Sequence, residues 1–207
     1  MQPARAAARP KSGDLRPDQR VGIFIDVSNL YHSAKNLYHG RVNYQELLKH
    51  LTGGRQLIRA MAYVVKSEGI VSAQEAAGHS GRIREVAPAD KDALPVSGEA
   101  AFFEALEKAG LELRSKDLQV YGDGTKKGDW DVGLAVDAIR MAPFLDVIIL
   151  VTGDGDFLPL VDYLKWGQGR LVEIASFHRS ASAKLQSAAD RFINIEDIPR
   201  VIMRSSR

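Results

Sequence analysis

The chain has 207 residues, of which 45% are hydrophobic, so one domain with a full hydrophobic core is expected. There is no cysteine, which excludes disulfides, zinc–thiolate sites and cysteine nucleophiles. The net charge of +2 is uneven, because residues 1–20 hold five basic and two acidic side chains and the remainder is near neutral. No apolar run has the length of a membrane span or of a signal peptide, so we expect a cytoplasmic protein without membrane contact.

Strand-like and helix-like segments alternate along the chain. Runs rich in β-branched and aliphatic residues predict strands, and apolar residues at helical spacing predict helices. In chain order, the predicted elements are a strand at 21–26, helices at 30–38 and 44–51, a strand at 57–65, a helix at 99–109, strands at 111–114 and 118–121, a helix at 131–141, a strand at 147–151, a helix at 157–166, a strand at 170–175, a helix at 181–189, a strand at 192–195 and a helix at 196–203.

This alternation predicts an α/β protein, a three-layer α/β/α sandwich with a mostly parallel central sheet. Residues 1–20 are predicted to be a disordered basic tail, 21–198 the domain and 199–207 a basic C-terminal end. Within the domain, 67–97 is rich in glycine and proline and is predicted to be a mobile insertion.

Two helices allow more detailed predictions. Ser28 or Asn29 is expected to cap the helix at 30–38. The helix at 131–141 is expected to bury one apolar face, made of Val132, Leu134, Ala135, Ala138 and Ile139.

Carboxylates follow the apolar strands directly. Asp26 ends the first strand and Asp154 follows the strand at 147–151, while Asp131 begins a helix. The carboxyl ends of parallel strands meet at one edge of a sheet, where ligands bind. Clustered carboxylates repel one another unless a cation lies between them, and ligation by oxygen alone favours Mg²⁺ or Mn²⁺ over zinc. We therefore expect a divalent metal that activates water against a phosphodiester.

Other polar residues lie next to these acids in the sequence. Ser28, Asn29 and Thr152 could orient a water or a phosphate oxygen. Lys126 and Lys127 are the best-placed basic residues for RNA phosphates, with Lys35, Arg179 and Lys184 as weaker candidates.

Each acid also has a structural interpretation. Asp26 could be a turn or cap residue, and Asp156 could cap the helix that follows it. Asp129 could cap a helix beginning at Trp130. Asp137 lies six positions after Asp131 and so on another face of the helix, where pairing with a basic group is expected.

Three segments of the chain resemble the signatures of the NYN domain, and the LabA-like branch is the most similar. They are residues 23–30 (IFIDVSNL), 127–137 (KGDWDVGLAVD) and 151–161 (VTGDGDFLPLV), and residues 188–193 (AADRFI) resemble the usual end of that domain. The first signature has Val27 where the family commonly has glycine.

The resemblance implies a PIN-like fold and a ribonuclease that uses clustered aspartates and a divalent metal. It places Asp26, Asn29, Asp131, Asp154 and Asp156 at catalytic positions, with Asp26, Asp131 and Asp154 as metal ligands. Single-stranded RNA is the expected substrate, with contacts from Ser28, Lys126, Lys127 and Thr152. A homodimer is left open.

Three other functions are kept as alternatives. A nucleic-acid-binding or regulatory module could retain the fold and not catalyse hydrolysis. A phosphotransferase with Asp26 as nucleophile would need a second acid where Ser28 stands. A topoisomerase–primase site built on Asp154 and Asp156 would need a glutamate after an early strand, and the first strand ends in Asp26.

Overall fold

A six-stranded parallel sheet forms the centre of the protein. The computed structural model describes residues 15–66, 96–117, 119–120, 126–127 and 130–204. The strands are β1 (Arg20–Asp26), β2 (Gly40–Val42), β3 (Gln56–Lys66), β4 (Glu112–Asp117), β5 (Gln119–Val120), β6 (Lys126–Lys127), β7 (Val147–Val151), β8 (Leu171–Ser176), β9 (Arg191–Asn194) and β10 (Ile202–Arg204). The order in the central sheet is β4-β3-β1-β7-β8-β9, and all neighbours are parallel.

Helices cover both faces of this sheet. They are α1 (Val27–Tyr38), α2 (Tyr44–Thr52), α3 (Val96–Lys108), α4 (Asp131–Met141), α5 (Leu158–Asp162) and α6 (Ala183–Ala188). Along β1, Ile23 and Ile25 pack in a cluster with α1, α2 and α3, whereas Phe24 packs in a second cluster with α4, α5 and α6. Burial of both faces explains why the central strands are continuously apolar.

The structure confirms the predicted fold class. The strand predicted at 147–151 and the helix predicted at 131–141 have the bounds of β7 and α4. β1 begins one residue earlier than predicted, at Arg20, and Gln19 before it is buried, so the end of the predicted tail is ordered. Most of the predicted insertion, 67–95, lies outside the described residues, and its last two residues belong to α3.

The helix predicted at 196–203 is wrong. The chain instead forms a 3₁₀ turn (Ile195–Asp197) and then β10, which pairs antiparallel with β2. Pro199 lacks an N–H donor, and Arg200 adopts a left-handed backbone with φ of 60°, so a helix cannot continue through them. The sequence analysis missed β2 because it has only three residues.

Three smaller predictions about helices are also corrected. Asp26, rather than Ser28 or Asn29, caps α1, which begins at Val27. The helix predicted at 157–166 is divided into a 3₁₀ turn (Gly155–Phe157), α5 and a π-helical turn (Tyr163–Gly167). On α4, Leu134 and Ala138 are buried, whereas Val132 is 75% exposed and Ile139 is 37% exposed. The buried stripe of α4 is therefore narrower than its apolar composition suggests.

No helix among the described residues is long and apolar enough to cross a membrane.

An ion pair between Arg55, after α2, and Glu173, on β8, is buried in the interior. Nη1 and Nη2 of Arg55 donate to the two carboxylate oxygens of Glu173 at 2.8 and 3.1 Å, and both side chains are almost fully buried. Arg55 also donates to the backbone carbonyls of Leu51 at 2.6 Å and Thr52 at 3.1 Å, which end α2. The pair thus joins α2 to the sheet and satisfies the last carbonyls of the helix.

Arg55→Met should lower the free energy of unfolding by about 3 kcal/mol, because it leaves the Glu173 carboxylate buried with Arg191, at 3.9 Å, as its one remaining cation among the described residues. The double variant Arg55→Met/Glu173→Leu should recover most of this loss, because no charge stays buried. Urea denaturation measures both. Equal losses in the two variants would show instead that the bonds from Arg55 to the end of α2 dominate.

Candidate active site at the β1–β7 switch point

The site lies where the direction of the sheet reverses. From β1 the chain adds β3 and then β4 on one side, and it later returns to place β7 on the other side of β1. Ligands of open α/β sheets bind in the crevice beyond the carboxyl ends of two such strands. Ile25 of β1 is paired with Val151 of β7, so Asp26 and Thr152 leave the sheet side by side.

Asp26 is held by hydrogen bonds to both of its carboxylate oxygens. Oδ1 accepts from the backbone N–H of Asn29 at 3.0 Å, which is the capping bond of α1, and Oδ2 accepts from the hydroxyl of Thr152 at 3.2 Å. The structural interpretation of Asp26 as a cap is therefore correct. This capping role is compatible with a metal-binding role, since the cap fixes the Asp26 carboxylate at the carboxyl edge of the sheet.

One further bond ties the loop after β7 to α1, and another lies within that loop. Asn29 Oδ1 accepts from the backbone N–H of Gly153 at 3.0 Å, and the Thr152 hydroxyl accepts from the N–H of Asp154 at 3.2 Å. Thr152 is 1% exposed, and its hydroxyl both donates to the Asp26 carboxylate and accepts from the N–H of Asp154. The structure therefore favours a positioning role for Thr152 over the predicted contact with RNA, and it commits the amide oxygen of Asn29 to the same loop.

The Asp26 carboxylate has a raised pKa. Burial is the largest cause, and the nearby negative charge of Asp154 acts in the same direction. The hydrogen bonds from Asn29 and Thr152 oppose this shift and only partly offset it. Two acids from strands that are distant in sequence thus share one electrostatic environment, as the sequence predicts for Asp26 and Asp154.

Asp154, and not Asp156, is the cap after β7. Asp154 Oδ1 accepts from the N–H of Asp156 at 2.9 Å and caps the 3₁₀ turn that follows. The Asp156 side chain is exposed and has no hydrogen-bond or ion-pair partner among the described residues. A structural role does not account for the Asp156 carboxylate, which lies at the same edge of the sheet as Asp154.

Two glycines let the loop after β7 approach its neighbours closely. A Cβ at Gly153 would lie 2.9 Å from both Ser176 Oγ and Ser180 O. At Gly155 a Cβ would lie 3.0 Å from Ser182 Oγ. The glycines of the third signature are therefore explained by packing against the segment after β8.

Asp131 is the first residue of α4 and is half-buried. Within the described part of the chain, no group of three His, Cys, Asp or Glu side chains is arranged to hold a metal ion. The three-ligand set of Asp26, Asp131 and Asp154 therefore stays a prediction. Asp129 and the side chains of Lys126 and Lys127 lie outside the described residues.

The sequence analysis missed the contacts that orient α4. Asp137 Oδ2 accepts from the hydroxyl of Tyr63 on β3 at 3.0 Å, and Arg114 on β4 lies 3.4 Å from the same oxygen. Trp130 Nε1 donates to the carbonyl of Val64 at 2.9 Å. Asp137 thus pairs with a basic group, as expected, and these bonds tie α4 to β3 and β4 at Asp137 and at Trp130, the residue before Asp131.

A second tyrosine was also missed. Tyr44, the first residue of α2, is buried, and burial together with the charge of Asp26 raises the pKa of its hydroxyl. Its position in the sequence, 18 residues after Asp26, gives no signal of this proximity.

The two coupled acids fit a hard divalent cation. Mg²⁺ usually takes one or two carboxylates directly and completes its shell with water. Burial is the main reason that the Asp26 pKa is raised, and a cation between Asp26 and Asp154 would stabilise the buried carboxylate and relieve the smaller repulsion from Asp154. The donor set is oxygen only, which suits Mg²⁺ or Mn²⁺.

The NYN domain model matches residues 20–196, from the first residue of β1 to the turn after β9. The chain belongs to the NYN domain family. The match confirms the resemblance found in the sequence signatures.

Two similar proteins support this assignment. The chain is 27% identical over 112 residues to the low amplitude and bright protein LabA of Synechococcus elongatus, a match that covers 51% of this chain and 60% of that protein. A crystal structure of a Vibrio parahaemolyticus protein of unknown function has a TM-score of 0.71 at 27% identity, covering 92% of this chain and 99% of that one.

Asp154→Asn should melt at a higher temperature than the parent in EDTA. Asparagine keeps the oxygen that caps the turn and removes a charge next to Asp26, which is a gain of about 1 kcal/mol. Millimolar Mg²⁺ or Mn²⁺ should then stabilise the parent much more than the variant. Thermal melts at pH 8 measure both effects.

Asp154→Ala is the matched control, because it removes the charge and the cap together and should gain little or nothing in EDTA. If the Asn variant is no more stable than the parent, and neither protein responds to metal, Asp154 is only a cap.

Proposed function

We propose that this NYN domain is a divalent-metal-dependent ribonuclease that hydrolyses RNA phosphodiester bonds. The observation that carries the proposal is the position of Asp26 and Asp154 at the switch point of the sheet, where the Thr152 hydroxyl donates to the Asp26 carboxylate and accepts from the backbone N–H of Asp154. Membership of a PIN-like nuclease family supports the same reaction.

In this proposal the side chains have distinct roles. Asp26 and Asp154 hold a Mg²⁺ or Mn²⁺ ion, and Asp131 adds a third carboxylate from the start of α4. When bound, such an ion would supply an activated water and would neutralise charge on the phosphate. Asn29 and Thr152 hold Asp26 and Asp154 in place through their hydrogen bonds. Asp156 is available to accept a hydrogen bond from water or to take up a proton. Ser28, in the first turn of α1, contacts the RNA in this proposal.

The phosphotransferase alternative is disfavoured by the residue at position 28. Ser28 offers no acid for protonating a leaving group. The binding-module alternative keeps the same geometry, so only a test of turnover separates it from a ribonuclease. The homodimer and the cytoplasmic location stay predictions.

Asp26→Asn should abolish cleavage of a labelled single-stranded RNA in Mg²⁺ or Mn²⁺, with a loss of at least about a hundredfold, because the ion loses a charged ligand. Asp18→Asn is the matched control, since Asp18 is exposed before the start of β1, at the opposite edge of the sheet, and its removal should leave the rate unchanged. EDTA should stop the reaction of the parent.

If the parent binds RNA but cleaves it no faster than Asp26→Asn in either metal, the domain is a binding module. If cleavage persists in EDTA, the metal requirement is wrong and the carboxylates act in another way.

The RNA path is proposed to cross β6, which lies a few residues before Asp131 in the chain. Lys126 and Lys127 form this strand, which pairs antiparallel with β5. Replacing both lysines by alanine should weaken RNA binding and flatten its dependence on salt by about one to two ion equivalents.

The control for this pair removes two cations elsewhere. Arg59 and Lys108 are exposed and ion-paired with Glu112 and Glu104, and the double change Arg59→Ala/Lys108→Ala should leave the salt slope as it is. Filter binding or fluorescence anisotropy at several salt concentrations gives the slopes. The same slope for both double variants would exclude Lys126 and Lys127 as phosphate contacts.

A further inference from the structure

A basic cleft lies at the edge of the sheet opposite the acids. It is about 440 Å³ in volume and is bounded by the end of α2, the start of β9 and the segment 198–200. Leu15, just before β1, and Gly53, just before β3, also line it, so it lies at the amino ends of the strands. The length of β1 therefore separates it from Asp26, a distance of about 20 Å.

Cations dominate the walls of this cleft. Lys49, Arg191 and Arg200 line it together with His50, against a single acid, Glu46. Among the described residues, neither Lys49 nor Arg200 makes a side-chain hydrogen bond or an ion pair. Such a concentration of unpaired charge in a concave site favours an anionic ligand.

Arg191 is only weakly engaged with protein groups. Its nearest acid, Glu173, already has both oxygens bound by Arg55 at hydrogen-bond distance. Nη1 of Arg191 lies 3.9 Å from Glu173, which is too long for a hydrogen bond. The Arg55–Glu173 pair is neutral as a unit, so the charge of Arg191 remains available to the cleft.

The backbone of Arg200 is strained. Its φ of 60° is in the left-handed region, which costs a residue with a side chain about 1 kcal/mol or more. The turn is held on both sides, because Val201 N donates to Ile198 O and Val201 O accepts from Asn43 N at 2.7 Å. Strain of this kind persists where neighbouring structure imposes it and often marks a binding site. Here it accompanies an arginine that lines the cleft.

We propose that this cleft binds a phosphate-bearing ligand of nucleotide size. Arg191 and Arg200 offer planar guanidinium donors suited to phosphate oxygens, and Lys49 adds a point charge. Leu15, Ile198 and Pro199 provide apolar surface for the body of the ligand. The volume is in the range of small-molecule sites, and the inference does not depend on the chemistry of the acid site.

Titration calorimetry with ADP and with pyrophosphate tests the proposal. The full chain is used at about 50 mM salt, so that electrostatic contacts are only partly screened, and EDTA keeps metal away from the acids. We expect saturable binding of ADP with one ligand per chain and weaker binding of pyrophosphate, which lacks the apolar contacts.

Arg200→Gly and Lys49→Gln should each weaken ADP binding about tenfold, the effect of losing one charge-assisted contact. Glycine is chosen at Arg200 because it tolerates the left-handed backbone and should preserve or raise the melting temperature. Lys108→Gln, which removes an equal charge from an exposed site on α3, should leave the affinity within about twofold.

Three results would overturn the proposal. Absence of ADP binding is the first, and if a single-stranded RNA then binds and loses affinity in Arg200→Gly, the cleft is part of an RNA path. Equal weakening in Lys108→Gln would show non-specific attraction. Loss of ADP binding in Asp26→Asn, with no loss in the cleft variants, would place the ligand at the acid site. RNA cleavage is measured separately in Mg²⁺ or Mn²⁺, so the failure of either proposal leaves the other one standing.

Discussion

The parallel pairing of β1 with β7, between two layers of helices, is the constraint on which the site depends. These two strands are separated by more than a hundred residues, and both are buried on both faces. Because the pairing aligns their carboxyl ends, Asp26 and Thr152 become neighbours, and one hydroxyl can bond both to the Asp26 carboxylate and to the backbone of Asp154. The side-chain network is thus a consequence of strand register, and a shift of one residue would break it.

The central strands and the acids that follow them could be predicted from the sequence because the signals are local. A run such as 147–151 is apolar throughout, which is typical of a strand covered on both faces, and the polar residue after it must leave the sheet at the edge. The same reasoning fails at the C-terminal end. There the residues 196–203 carry an apolar pattern, but Pro199 and the left-handed Arg200 turn the chain toward β2, whose three residues give no pattern of their own.

The contacts that orient α4 could not be predicted, because they join residues far apart in sequence. Tyr63 and Asp137 are 74 residues apart, and nothing in the local pattern of either segment indicates the other. The burial of α4 was misjudged for a related reason. Its apolar composition suggests a broad buried face, but the sheet contacts only a stripe through Leu134 and Ala138, which leaves Val132 in solvent. Tertiary packing, rather than periodicity, decides which apolar side chains are covered.

The capping of α1 by Asp26 affects how firmly a cation would be held. The first turn of a helix carries a partial positive charge from its unpaired N–H groups, and here that turn bonds directly to the carboxylate. Part of the negative charge is therefore already balanced by the protein. A metal ion at this edge would meet a weaker attraction than two unshielded carboxylates would exert. Compared with an uncapped carboxylate in the same buried position, Asp26 would therefore release an ion more readily, and the concentration of metal around the protein would have more influence on how much of it is loaded.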